Sequence, residues 1–388
     1  MSADQDRDLD RRIWALAIPA LGAIAAEPLY NLVDTAIVGH LGRQQLDSLA
    51  IATTALMLAG WLSIVLVAAA PLLAQLLGAQ HAVLTGAVSY LRISAVGVPF
   101  LYVSYAGNGH LIGLADIRTP LRIAVAANLL NVALEVALVY GVRWGLDGSA
   151  WGTVAAQLVA ALAYGAASRR AAIRVARPGR PQMITLLQAG HQLTVRTIAL
   201  GVVPLTTTAV AARLGPVALG AQQIAMRVWY LLSISLDALA VPAQFYVSTA
   251  LGAGDPQAAR HTARRSVRLG LIAGAALALL TAALALVVPG AFTHDPAIQH
   301  QATVALLVSA LTQPLAALAF VLDGLILGIS DYRAMRRAML LSIFAYAPMA
   351  ALVLRFHGLG LPGIWIALGL WLAARSALLG RRWLTAAP

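Results

Sequence analysis

The chain of 388 residues is 60% hydrophobic and only 11% charged, with a mean hydropathy of +0.80, which excludes a single water-soluble core: a globule of this length needs far more surface charge. A formal net charge of +12 could signal nucleic acid, but the Arg residues fall mainly in the gaps between apolar runs and act as topology signals, so no nucleic-acid partner is expected. No Lys occurs, and the absence of Cys excludes disulfides, thiol catalysis and Cys-ligated metals.

The N-terminal "MSADQDRDLDRR" is acidic and then basic, unlike a cleavable signal peptide, so the first span is expected to be retained. Apolar runs long enough for a bilayer core follow at 13–38, 49–76, 83–112, 121–140, 149–167, 193–212, 224–251, 269–288, 302–327, 338–354 and 364–379, eleven in all. They are continuous and do not alternate, so they read as helices and not as strands of a barrel. The expected fold class is an all-α polytopic membrane protein of two pseudo-symmetric helical bundles, in the inner (plasma) membrane and monomeric. Basic loops follow every second span, "LADIRTPLR", "SRRAAIRVARPGRPQ", "ARHTARRSVR", "SDYRAMRR" and "GRRW", and the positive-inside rule places them in the cytoplasm. The second of these divides the chain into an N-terminal lobe over 1–167, a basic linker over 168–182 and a C-terminal six-helix lobe over 183–388.

The two halves are copies. "NGHLIGLADIRTPLR" superposes on "DGLILGISDYRAMRR" at a shift of 215, with Gly109, Gly113, Asp116, Arg118 and Arg122 on Gly324, Gly328, Asp331, Arg333 and Arg337, and Ser94 and Pro99 on Ser309 and Pro314. Near the start of each half, Leu41, Gly42, Leu46, Ile51 and Ala52 match Leu214, Gly215, Leu219, Ile224 and Ala225 at a shift of 173. The shifts differ by 42, so the first half lacks about that many residues between Ala52 and Val83. Since both copies present basic loops to one side, they are parallel repeats. The odd number of spans conflicts with a cytoplasmic "RDLDRR" start; a re-entrant or tilted segment over 49–76 is the preferred resolution, with an inverted first helix as the alternative.

An ionised carboxylate at the bilayer centre costs about 3 kcal/mol or more and persists where it faces a cavity, a partner or a transported ion. Glu27, Asp34, Glu135, Asp237 and Asp323 lie inside spans. Glu27 and Asp34 share a helix face, with Pro19 and Pro28 available to kink that helix. Asn128, Asn131 and Glu135 form a polar ridge suited to a proton or cation. Asp237 and Asp323 either tie the second half together or contact cargo, while Asp116 and Asp331 stand in loops and suit helix ends. Arg92 is read as the one base well inside a span, which makes the intramembrane charge mostly acidic and favours cationic cargo. Of the eight His, only His110 could face a first-half cavity, and a neutral, satisfied ring is preferred.

With "EPLYNLVDTAIVGHLG", "NLLNVALEVALVYG" and "GSAWGTVAAQ" in the first half and "LDALAVPAQ", "LGAGD" and "LDGLILG" in the second, the chain resembles the multidrug and toxic compound extrusion (MATE) transporters, especially their DinF-like branch, over essentially its whole length. The resemblance implies an antiporter that exports hydrophobic, often cationic compounds in exchange for H⁺ or Na⁺, with no other cofactor. It also implies an ion site at Asp34, Asn131, Glu135 and Thr153, with Tyr90 and Asn108 as weaker matches; the family more often has Asp where this chain has Glu135, and Glu27, from its place in the first span, is read as an accessory. Two acids sharing such a pocket cannot both ionise cheaply, so one is expected to hold a proton near neutral pH. Three alternatives stay open: a lipid-linked precursor flippase, which would want a more cationic cavity; a degenerate, non-transporting relative, which the missing segment favours; and an intramembrane enzyme, disfavoured because no HExxH occurs.

Overall fold

In the computed structural model the described residues are 6–22, 68, 70–72, 74–75, 81–114, 116, 118–170 and 179–386. Among them there is no strand. Helix α1 covers residues 6–22, α2 His81–Gly113, and α3 Arg118–Val136, which runs into a π-helical turn over Ala137–Gly141. Then come α4 (Gly145–Arg170), α5 (Arg180–Leu214), α6 (Pro216–Gly252), α7 (Pro256–Phe292), α8 (Pro296–Gly328), α9 (Tyr332–Arg355), a 3₁₀ turn and α10 (Gly360–Ala386). From α2 to α10 every helix is long and apolar enough to cross a membrane, nine among the described residues. They coincide with the nine spans expected from 83 to 379. The first two expected spans fall largely outside the described residues, as do Glu27, Pro28, Asp34 and the question of whether 49–76 is re-entrant.

The helix ends follow local chemistry. Pro occupies the first turn of α6, α7 and α8, where its missing N–H is no loss. Asp255 accepts the Ala258 N–H at 2.8 Å, and Asp295 accepts from Ala297 at 2.8 Å. The repeat pair Asp116 and Asp331 does the same job in each half, taking the Thr119 N–H at 3.0 Å and the Ala334 N–H at 3.0 Å. Hydrogen bonds from Thr119 hold the Asp116 carboxyl below its ordinary range. Burial pushes Asp331 up, but the Ala334 N–H and the Arg382 guanidinium outweigh it and leave that carboxyl lowered as well.

Two compact units emerge, Gly22–Val175 and Met1–Leu21 with Ala176–Pro388. The sequence-based boundary had put residues 1–21 with the first half. Ion pairs account for the difference: Arg265 on α7 donates to Asp10 from Nε at 2.7 Å and from Nη2 at 2.8 Å, and His261 Nε2 lies 2.9 Å from Asp6 Oδ1. Below them Ala17 packs among Leu239, Val321 and Leu325.

Small residues set the helix spacing, as they must where lipid is as apolar as any side chain. On α8, a Cβ at Gly324 would lie 2.4 Å from the Ala240 carbonyl oxygen, and one at Gly328 would lie 2.9 Å from that of Gln244, both on α6. On α7, a Cβ at Gly274 would come within 2.7 Å of the Ala317 side chain. Their repeat counterparts Gly109 and Gly113 have nothing within 4 Å among the described residues. Gly324→Ala is therefore expected to destabilise the purified protein by about 1–3 kcal/mol through overpacking, and Gly109→Ala to leave it within about 0.5 kcal/mol; melting of the detergent-solubilised variants, followed by intrinsic fluorescence, measures both.

Candidate functional site

In the unit Gly22–Val175 the polar centre is built across α3 and α4. Glu135 is fully buried and Asn131, one turn earlier, is 3% exposed. The Asn131 Nδ2 donates to Thr153 Oγ1 at 3.2 Å, and the Thr153 hydroxyl donates to the Ser149 carbonyl at 3.1 Å. Thus Asn131 and Thr153, nominated from sequence, are in contact, and Glu135 lies one turn along the same helix from Asn131. Asn128, one turn further along the ridge, is half-buried.

Two features of this centre were not read from the sequence. The first is the π turn: the Val142 N–H reaches back five residues to the Ala137 carbonyl at 2.9 Å, and such single π turns recur at functional sites. Here it begins two residues after Glu135 and forms the last turn of the helix, which ends at Gly141. The second is the pair Gly148 and Gly152, four apart on α4. A Cβ at Gly152 would lie 3.2 Å from the Glu135 backbone nitrogen, and one at Gly148 would lie 3.0 Å from the Leu138 carbonyl carbon. These glycines bring α4 against the backbone of the acid-bearing turn. The signal was present as G-S-A-W-G, a small-xxx-small spacing.

Tyr90 and Asn108 do not join one cluster with each other. They stand 18 residues apart on the continuous helix α2, about 27 Å along its axis. Tyr90 is 3% exposed and packs with Leu91, Leu146 and Ala150, while Asn108 is half-buried, next to Gly107, whose missing Cβ makes room for Tyr164. Pro19 is half-buried within α1.

The second unit holds a different arrangement. Asp323 is 2% exposed and Arg375 fully buried. Arg375 Nη2 donates to Asp323 Oδ2, and Arg196 Nη2 donates to the same oxygen at 2.6 Å. The Arg375 guanidinium also lies over the rings of Phe320, at 5.3 Å, and Trp371, at 5.7 Å. Asp323 Oδ1, Arg196 Nε and Arg375 Nε and Nη1 have no hydrogen-bond partner among the described residues. Two guanidiniums thus share one carboxylate oxygen, with Asp237 the other acid within electrostatic range. Asp237 is exposed on α6, and the charges acting on it are those of Arg196, Asp323 and Arg375. The two second-half acids are therefore unlike: Asp323 is held inside an ion-pair cluster, and Asp237 stands on its margin. On the same face of α6 as Asp237 lie Gln223, Arg227, Tyr230 and Gln244, all exposed and spaced by helical turns.

This corrects the charge census. Arg92 is not the one base deep in a span, since Arg196, Arg227 and Arg375 lie within α5, α6 and α10. Each is a single Arg within a largely apolar run, which hydropathy averages away.

The MatE family model matches residues 19–81, 54–137 and 193–356. "Protein DETOXIFICATION 44, chloroplastic" of Arabidopsis thaliana is 29% identical over 94% of this chain and 80% of its own length. "DNA damage-inducible protein F" of Escherichia coli (strain K12) is 24% identical over 96% of this chain and 92% of its own. A solved structure of a Vibrio cholerae MATE transporter superposes with a TM-score of 0.87 at 17% identity, covering 98% of each chain. The two sequence alignments run over 424 and 425 positions, more than the 388 residues of this chain, so they cross residues the relatives have and this chain lacks. In the family match, 54–81 is covered twice, within the interval where the internal repeat loses its counterpart.

Removing one partner of the buried cluster strands the others. Asp323→Leu, which removes the carboxylate oxygen that the buried Arg375 and the half-buried Arg196 share, is expected to cost about 3–5 kcal/mol, and the double variant Asp323→Leu/Arg375→Leu less than the two single costs added. A double-mutant cycle on denaturation midpoints in micelles checks both the size and the sign of the coupling.

Proposed function

This chain belongs to the MatE family of multidrug and toxic compound extrusion transporters, and from that premise we propose that it is a cation-coupled antiporter exporting lipophilic compounds across the plasma membrane by alternating access. Its multi-pass helical architecture and its relatives support transport as the activity. The observation that carries the coupling is Glu135: a fully buried carboxylate on an apolar helix, one turn from an amide that is hydrogen-bonded to Thr153. A carboxylate so placed exchanges a proton or a small cation more readily than it serves packing. On this reading Asp34 completes the site from the first helix, Asn131 and Thr153 fix the position of the Glu135 side chain, and occupancy by H⁺ or Na⁺ drives cargo release.

Cargo charge has two readings. The acids Glu135 and Asp237 favour a lipophilic cation. Arg196, Arg227 and Arg375, set against Asp237 and Asp323 in the second unit, favour a compound that carries a carboxylate. The shortened first half bears on rate, since it removes helix surface that would otherwise line a pathway, and efflux is expected to be weak beside that of a full-length relative. Complete absence of transport would support the degenerate reading.

In everted vesicles with an imposed proton or Na⁺ gradient, Glu135→Gln is expected to lower gradient-driven dye movement at least about tenfold, the range of a lost proton-transfer group, whereas Glu135→Asp retains part of it. Parental rates for Glu135→Gln would reject the coupling assignment. A size-matched pair of cationic and anionic dyes, run in the same vesicles, decides between the two readings of cargo charge: preference for the cation upholds the first, preference for the anion the second.

A further inference from the structure

At the cytoplasmic end of the second unit, as the positive-inside rule orients it, a cavity of about 750 Å³ opens between the start of α9 and the end of α10, lined by Asp331, Arg333, Arg337, Leu341, Leu378 and Arg382, among others. One carboxylate faces three guanidiniums, and that carboxylate is already engaged: Asp331 accepts the Ala334 N–H at 3.0 Å and Arg382 Nε at 2.6 Å. Arg333 and Arg337 are exposed and make no ion pair with any described carboxylate. Their positive charge is not consumed within the fold.

Charge is only half of the lining. Arg333, Arg337 and Leu341 are spaced four apart and share one face of α9. Phe344 lies one turn beyond Leu341 on that face, and both side chains are open, at 52% for Leu341 and 73% for Phe344. Going into the membrane, the face changes from two unpaired guanidiniums to an uncovered apolar track. A soluble anion would use only the first part. A molecule with an anionic phosphate head and an acyl chain would use both, with its head at the depth where arginines flank a span and its chain in hydrocarbon.

We propose that this cavity is a binding site for one anionic phospholipid, its phosphate held by Arg333, Arg337 and Arg382 and its acyl chain laid along Leu341 and Phe344. Asp331 has a defined part: its bond to Arg382 holds that guanidinium at the cavity wall while leaving the charge of the other two uncancelled. The first half provides an internal control. Asp116, Arg118 and Arg122 repeat Asp331, Arg333 and Arg337, but among the described residues no arginine donates to Asp116 as Arg382 does to Asp331, so the copy lacks the guanidinium held at the wall. The site is thus a property of one half and not of basic loops in general.

The full chain, purified in detergent and stripped of lipid, is titrated with mixed micelles of dioleoylphosphatidylglycerol or dioleoylphosphatidylcholine and with inorganic phosphate; retained lipid is counted by native mass spectrometry and the melting midpoint is followed. Phosphatidylglycerol is expected to bind as one copy, about tenfold tighter than phosphatidylcholine, the size of effect expected for a few interfacial arginines, and to raise the midpoint. Arg333→Gln/Arg337→Gln should bring the preference near unity, and Arg118→Gln/Arg122→Gln should keep it. Leu341→Asn leaves all three arginines and should weaken phosphatidylglycerol without changing any response to phosphate, so the test survives if the arginine variant fails to fold. Equal binding of the two lipids, a preference untouched by either second-half variant, or inorganic phosphate reproducing the whole stabilisation would each overturn the proposal, the last in favour of a free anion.

Discussion

In hydrocarbon an apolar side chain gains almost nothing by leaving lipid for a neighbouring helix, so helices stay together through close backbone approach and through the polar groups they hide from lipid. Much of the architecture follows from that constraint. Gly324 and Gly328 admit α8 against the carbonyls of Ala240 and Gln244, which lets Asp323, their neighbour in sequence, sit deep enough to meet Arg375 and Arg196. Gly148 and Gly152 do the corresponding work for α4, whose approach to the Glu135 backbone brings Thr153 within hydrogen-bonding distance of Asn131. In each unit the polar centre lies beside a glycine contact, where the space between helices is too narrow for lipid to enter.

The same constraint separates the chemistry of the two units. Glu135 is buried one turn from the Asn131 amide. Asp323 instead shares a single carboxylate oxygen between Arg196 and Arg375, and removing it would strand its cationic partners. The duplicated ancestry visible in the sequence therefore does not imply duplicated function: the copies share capping aspartates at 116 and 331 and differ where charge is buried.

The repeat-related glycine pairs differ in what they meet. Gly324 and Gly328 are occupied by α6, whereas Gly109 and Gly113 meet nothing among the described residues. The stretch of α6 that fills the second-half groove, around Ala240 to Gln244, falls in the segment for which the first half has no counterpart by repeat alignment.

From sequence alone came the class, the positions of nine spans, the repeat and its gap, and the polar ridge of Asn131 and Glu135, because hydropathy, helical spacing and the cost of a charge in lipid are local properties that a linear reading can apply; Thr153 was nominated by the family resemblance. The sequence also contained the G-x-x-x-G of α4 and the lone arginines 196, 227 and 375, yet their meaning depended on what stood opposite. Only the tertiary structure decided that Arg196 and Arg375 converge on one oxygen of Asp323 from positions 127 and 52 residues away, that a π turn follows Glu135, and that residues 6–21 are held by α7. The physical reason is the same in each case: pairing energies in a low-dielectric interior depend on distances between segments far apart in the chain, and no window along the sequence contains both partners.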